Sequence, residues 1–182
     1  MNLTRCVDRK RWPGSLAVLF AGVLLVGLSF GAFGPVEGMK AIAFAAGTGN
    51  TPAPDFELKD FSGATVKMSA FKGEKAVLVY FWATWCPYCL KAKPKIAELR
   101  KENSEKDLAI IGVNVGGADS QERVKRFQEI NPVQWPILFD KDGSVSRSYH
   151  VQGIPLFVLV NKAGNIVHIG NTLPDPKEYL KK

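Results

Sequence analysis

In the stretch WCPYC, Cys86 and Cys89 stand three positions apart, directly after the apolar run AVLVYFWAT. Thiols so spaced can close a structural bond, supply half of a metal site, or exchange electrons as a dithiol–disulfide couple. A structural cross-link works by constraining the unfolded chain, and a loop this short constrains little. A structural zinc site asks for about four ligands. Apart from Cys6 near the N-terminus, the chain has no third cysteine and offers two histidines, His150 and His168. Redox chemistry needs the pair alone, with no metal and no cofactor.

The surrounding pattern shows how the pair would be positioned. AVLVYFW, residues 76–82, is a continuous apolar run that fits a strand buried on both faces. From Pro87 to about Lys101 the sequence reads as a helix, with Leu90, Ile96 and Leu99 on one side. Pro87 suits the first helical position, where its missing N–H would be unpaired anyway. Cys86 then faces the free N–H groups and positive end of the helix, which favour a thiolate. Cys89, one turn on, lies deeper on the same face. A mechanism follows from that asymmetry: Cys86 attacks a disulfide, and Cys89 resolves the mixed disulfide.

Other elements complete an α/β order. Residues 55–73 alternate apolar and polar around Ser62-Gly63, as two short strands joined by a turn. LAIIGVNV, residues 108–115, is a second buried strand, and SQERVKRFQEI a helix with Ser120 as N-cap. PILFD, a turn at Asp142-Gly143 and VSRSYHV lead to a hairpin in GIPLFVLVNKAGNIVHIG, turning around residues 162–165, and DPKEYLKK closes as a short helix. Strand–helix–strand–helix followed by an antiparallel hairpin and a helix calls for a mixed sheet flanked by helices.

The first 45 residues read differently. Arg5, Arg9, Lys10 and Arg11 precede residues 14–34, which carry no charge and are long enough to cross a bilayer as a helix. The basic flank places the N-terminus in the cytoplasm and the remainder outside. Length favours an uncleaved membrane anchor, while AFAA at 43–46 resembles a signal cleavage site. Either way the domain is exported, periplasmic or on the outer side of the cell membrane. AGTGNTPAP, residues 46–54, reads as a linker to a domain over 55–182. Of the net charge of +7, the first 50 residues carry +3 and the rest +4. With no basic block interleaved with aromatics, that excess argues against a nucleic-acid partner.

With FWATWCPYC, the downstream GIP and the exported setting, the chain resembles the thioredoxin superfamily over roughly residues 52–182. It looks most like the membrane-anchored TlpA/ResA branch of thiol–disulfide oxidoreductases, a redoxin (AhpC/TSA-like) domain. The resemblance implies a thioredoxin-like mixed sheet flanked by helices, with an N-terminal β-hairpin and an extra strand–helix insertion over residues 110–140. Ile154-Pro155 matches the family's cis-proline, which lies beside the sulfurs, with the backbone before it pairing with substrate. A plain strand-start proline is the alternative. Pro94 matches the family's proline inside the active-site helix. The implied function is exchange of a dithiol with protein thiol or disulfide substrates, as a reductant, by a monomer served by a membrane-bound redox partner. Trp85, Pro87, Tyr88, Ile154 and Pro155 would contact substrate, although Trp85 and Tyr88 could equally serve packing. Lys91 and Lys93 read as a solvated helix face.

Two positions depart from the family pattern. Tyr80 stands where thioredoxins carry a buried Asp, and Ala92 where cytochrome-maturation members carry a Glu. Both carboxylates are thought to handle the proton of the buried thiol, so the usual general base is absent. The departures weigh against apocytochrome c as substrate and leave the redox reading intact. Two alternatives remain beside it. A peroxiredoxin-type peroxidase would need Pro-x-x-x-Thr-x-x-Cys, and those places hold Val79 and Ala83, with Thr84 one residue out of register. An exported copper carrier would bind through both sulfurs and a third ligand, for which His150 is the candidate.

Overall fold

The structure is a computed structural model that describes residues 51–180. The expected anchor or signal segment, Cys6 and most of the expected linker lie outside the described residues. Among the described residues no helix is long and apolar enough to cross a membrane.

The centre is β4 (Ala76–Trp82), whose seven residues are all buried, as the unbroken apolar run predicts. It runs parallel to β5 (Leu108–Asn114), which pairs in parallel with β6 (Ile137–Phe139). On its other edge β4 is antiparallel to β7 (Leu156–Val160), and β7 to β8 (Asn165–Gly170). Thr51 and Pro52, within the segment read as a linker, form a short strand β1 against β8. The six-stranded order is therefore β1-β8-β7-β4-β5-β6. The expected N-terminal hairpin, β2 (Glu57–Lys59) and β3 (Thr65–Lys67), forms a separate two-stranded sheet, tied to β6 by a bridge between Asp60 and Leu138.

Strand alternation divides the core. Leu78, Tyr80 and Trp82 face one side, against Ile96 and Leu99 of α1 (Pro87–Glu102) and Val124 of α2 (Gln121–Ile130). Val77, Val79 and Phe81 face the other, with Phe56, Met68 and Val145 and Tyr149 in and after α3 (Ser144–Ser148). Ser120 caps α2 as expected, accepting from the Arg123 N–H at 3.2 Å. VSRSYHV, given no element above, supplies α3, whose amides are held by buried Asp140. The chain closes in α4 (Pro176–Leu180).

Candidate active site

Cys86 sits between the end of β4 and the first turn of α1, and is that helix's N-cap with extended backbone angles. Pro87 occupies the first helical position. The Cys89 N–H, one of the donors a helix leaves unpaired at its start, points back at Cys86 Sγ over 3.1 Å. The two sulfurs are joined in a disulfide, with Cα atoms 5.2 Å apart. Cys89 is fully buried and Cys86 nearly so, which agrees with the expectation that Cys89 lies deeper. Once the bond is reduced, the same donor and helix end favour negative charge on Cys86.

The expected contact residues gather around this pair. Trp85 is 54% exposed and Tyr88 71% exposed, each next in sequence to a cysteine that is itself covered. Pro87 is exposed beside them. The Ile154–Pro155 peptide is cis, and the Ile154 carbonyl oxygen lies 3.8 Å from Cys86 Sγ. Asn171 steadies this loop by donating to the Pro155 carbonyl at 2.7 Å. Among the described residues, no three His, Cys, Asp or Glu side chains are grouped so as to hold a metal, so His150 does not complete such a group with the two cysteines.

Tyr80 replaces the family's buried carboxylate with a different chemistry. Its hydroxyl donates to the Cys89 carbonyl at 2.7 Å, and its ring stacks on Phe157 at 5.2 Å between centroids. Burial pushes the phenol well above its ordinary range, so it remains a donor and accepts no proton. Ala92 is half-buried and apolar.

Two side chains were missed or misread in the sequence. Asp119, buried in the loop between β5 and α2, accepts from the Thr84 N–H at 2.8 Å and the Thr84 hydroxyl at 2.5 Å. It also accepts from Asn114 Nδ2 at 2.7 Å, so one carboxylate ties the loop carrying Trp85 and Cys86 to the end of β5. The loop after β5, which carries Asp119, can turn back because Gly116 adopts φ +65°, where a Cβ would meet the Asp140 carbonyl oxygen at 2.5 Å. An Asp 35 residues away, amid GGADS, offers no local sign of this role. Lys93 corrects the reading of a solvated helix face. Lys91 does extend outward, its Nζ 5.8 Å from the exposed Tyr88 ring. Lys93 Nζ is instead buried with no hydrogen-bond partner among the described residues, 4.5 Å from the Trp82 ring centroid and 4.4 Å from that of Phe127. Burial brings its pKa down to about 8.

Comparison with known proteins agrees with this geometry. Residues 50–169 match the AhpC/TSA family. The thioredoxin-like protein YneN of Bacillus subtilis is 38% identical over 121 residues, covering 65% of this chain and 69% of its own. The thiol-disulfide oxidoreductase ResA of Bacillus thuringiensis subsp. konkukian is 33% identical over 133 residues, covering 71% and 75%. Among solved structures, the thioredoxin domain of a thiol-disulfide oxidoreductase from Bacteroides vulgatus is 31% identical with a TM-score of 0.62, covering 73% of this chain and 93% of that one.

Proposed function

Because the chain belongs to the AhpC/TSA family and is a thioredoxin-like thiol–disulfide oxidoreductase, we propose that it reduces disulfides in exported proteins, with Cys86 as attacking thiol and Cys89 as resolving thiol. The observation that carries this division of roles is the Cys89 N–H aimed at Cys86 Sγ from the start of α1. The Cys86 thiolate attacks one sulfur of a substrate disulfide, and the other substrate sulfur leaves and takes up a proton. Cys89 then loses its proton and attacks Cys86 Sγ. The second substrate thiol is released and the Cys86–Cys89 bond forms, so two electrons pass to the substrate. A membrane-bound dithiol partner resets the pair, and the N-terminal apolar segment keeps the two near each other.

Trp85, Pro87 and Tyr88 form the apolar rim on which a substrate segment rests. The Ile154 carbonyl, beside Cys86 Sγ, is the acceptor for that segment's backbone, as in strand addition, and Pro155 flanks it. The peroxidase alternative finds less support, since the Thr84 hydroxyl is engaged by Asp119 and not turned to a peroxide. Trapping tests the roles. Cys89→Ser is expected to accumulate mixed disulfides through Cys86, and Cys86→Ser to accumulate none. More trapped complex with Cys86→Ser than with Cys89→Ser reverses the assignment.

A further inference from the structure

The resolving step requires Cys89, a fully buried residue, to become an anion. An anion without compensation in such surroundings is unfavourable. Cys86 has the helix N-terminus for this purpose, whereas Cys89 donates its own N–H away to Cys86. The carboxylates that serve the family here are replaced by Tyr80 and Ala92. Tyr80 is committed to the Cys89 carbonyl, not to its sulfur.

Lys93 follows Cys89 by four residues in α1, hence one turn later on the same face. Residues at this spacing have neighbouring Cβ atoms, and helical side chains lean toward the N-terminus, the end of α1 that holds Cys89. Its ammonium comes to rest on Trp82, in the strand that leads into the Cys86 loop, and under Phe127 of α2. The two ring faces make a buried cation tolerable without supplying a counter-charge. Among the described residues Lys93 has neither a hydrogen-bond partner nor an ion pair.

The other charged groups of α1 and α2 are exposed or paired elsewhere: Lys91, Lys95 and Glu98 of α1 and Glu122, Lys125, Arg126 and Glu129 of α2 are exposed. Arg123 of α2 is turned to Asp119 and the Ala118 carbonyl. On α1, Arg100 pairs with Glu105 and Glu102 with Lys177. Lys101, two turns further along, lines the same groove of about 490 Å³ as Lys93, beside Trp135. From β4 the titratable neighbour is the Tyr80 phenol, which stays neutral.

We propose that Lys93 is a positioning residue for the resolving thiol: its ammonium, held between Trp82 and Phe127, is the counter-charge that appears paired only when Cys89 becomes a thiolate. This inference rests on the dithiol mechanism proposed above and names what stands in for the missing carboxylate. It differs from a general base, because Lys93 keeps its proton and the proton of Cys89 goes to solvent. In the disulfide form the cation has no anionic partner, which accords with its lowered pKa.

The test separates the two thiol steps with dithiobis-nitrobenzoate as substrate. The probe reacts with the reduced full chain in detergent, carrying Cys6→Ser so that only the pair responds. Attack by Cys86 releases a first thionitrobenzoate and leaves the other on Cys86. Attack by Cys89 on Cys86 Sγ releases the second and closes the disulfide. Lys93→Met is expected to leave the first phase unchanged, slow the second roughly tenfold at neutral pH, and move its pH profile upward by about one unit. Lys93→Arg, which retains the charge, is expected to keep the second phase near wild type. If Lys93→Met fails to fold, Lys93→Gln takes its place. Independently, in a Cys86→Ser background, the pH at which Cys89 ionises, followed by thiolate absorbance, should rise with Lys93→Met. Two wild-type phases with an unchanged second phase and pH profile in Lys93→Met overturn this inference alone. A wild type that never releases the second equivalent overturns the dithiol mechanism, and this inference with it.

Discussion

On the face of the sheet covered by α3, the large buried polar groups have partners. Asp140 accepts from the Val145 N–H at 3.3 Å, the Ser146 N–H at 2.7 Å and the Ser146 hydroxyl at 2.7 Å. Tyr149 donates to the Pro54 carbonyl at 2.7 Å, fastening the incoming chain. On the face covered by α1 and α2, buried nitrogens of Trp82, Lys93, Gln128 and Trp135 have none among the described residues. A buried donor left unpaired costs about 1–3 kcal/mol. Folds generally tolerate such groups where the site requires them and offset them by sound packing elsewhere. The α3 face therefore holds the domain together, and the α1 face carries the disulfide and the unpaired charge of Lys93. Asp119 stands between the two: it is fully partnered, yet every bond it makes to Thr84 bears on the Cys86 loop.

Three substitutions would break or sharpen this contrast. The largest effect is expected from Asp140→Ala on the α3 face. It strips the α3 amides and Ser146 of their acceptor and should destabilise the domain by about 3 kcal/mol. Both phases of the dithiobis-nitrobenzoate reaction should be unaffected in the molecules that remain folded. Denaturant unfolding reads the first outcome and stopped-flow absorbance the second. A stable Asp140→Ala protein with a slowed thiol reaction would invert the assignment of the faces.

Asp119→Asn should have an intermediate effect of the opposite kind. Asn retains a single acceptor oxygen, so Thr84 loses part of its double anchorage and the turn into Cys86 loosens. Small displacements of a reacting group are costly in rate, and the first phase, attack by Cys86, is expected to slow by about tenfold. The melting temperature should fall less than in Asp140→Ala. If Cys86 reacts at the wild-type rate in Asp119→Asn, the anchorage of Thr84 is structural only.

The same contrast explains which parts could be read from the sequence. The strand at 76–82, the helix from Pro87 and the Ser120 cap were legible because each rests on periodicity or a cap within a few residues. The relation of Cys86 to Cys89 was legible for the same reason, since helix geometry alone sets it. The bonds of Asp119 to Thr84 join residues 35 apart, and the pairing of Thr51 with Ile166 joins opposite ends of the domain. No local pattern encodes either. Lys93 was misread because α1 looks polar at that position until Phe127 arrives from α2 to cover it. Its burial is a tertiary property, and the charge pattern of one helix could not contain it.

The smallest effect is expected from Tyr80→Phe, and it tests whether the tyrosine is a donor or part of the redox chemistry. The substitution removes one hydrogen bond to the Cys89 carbonyl while leaving the stack on Phe157, a loss of about 1 kcal/mol. Thiol exchange should remain within a few-fold of wild type, with an unshifted pH profile, because a phenol held above its ordinary range does not titrate where thiols do. The alkaline limb of stability should change instead. In the unfolded chain Tyr80 ionises near its ordinary value of 10.0, whereas in the folded chain burial keeps it protonated. Its contribution is therefore intact below about pH 10 and lost as the pH rises above it. Tyr149, whose burial also raises it, adds a second such contribution from the α3 face. Tyr80→Phe should flatten the loss of stability above about pH 10 by one proton's worth, with the contribution of Tyr149 left in place. Alkaline denaturation followed by circular dichroism measures that slope. A shifted pH profile for the second thiol phase in Tyr80→Phe would instead show that the neutral Tyr80 hydroxyl helps to stabilise the Cys89 thiolate.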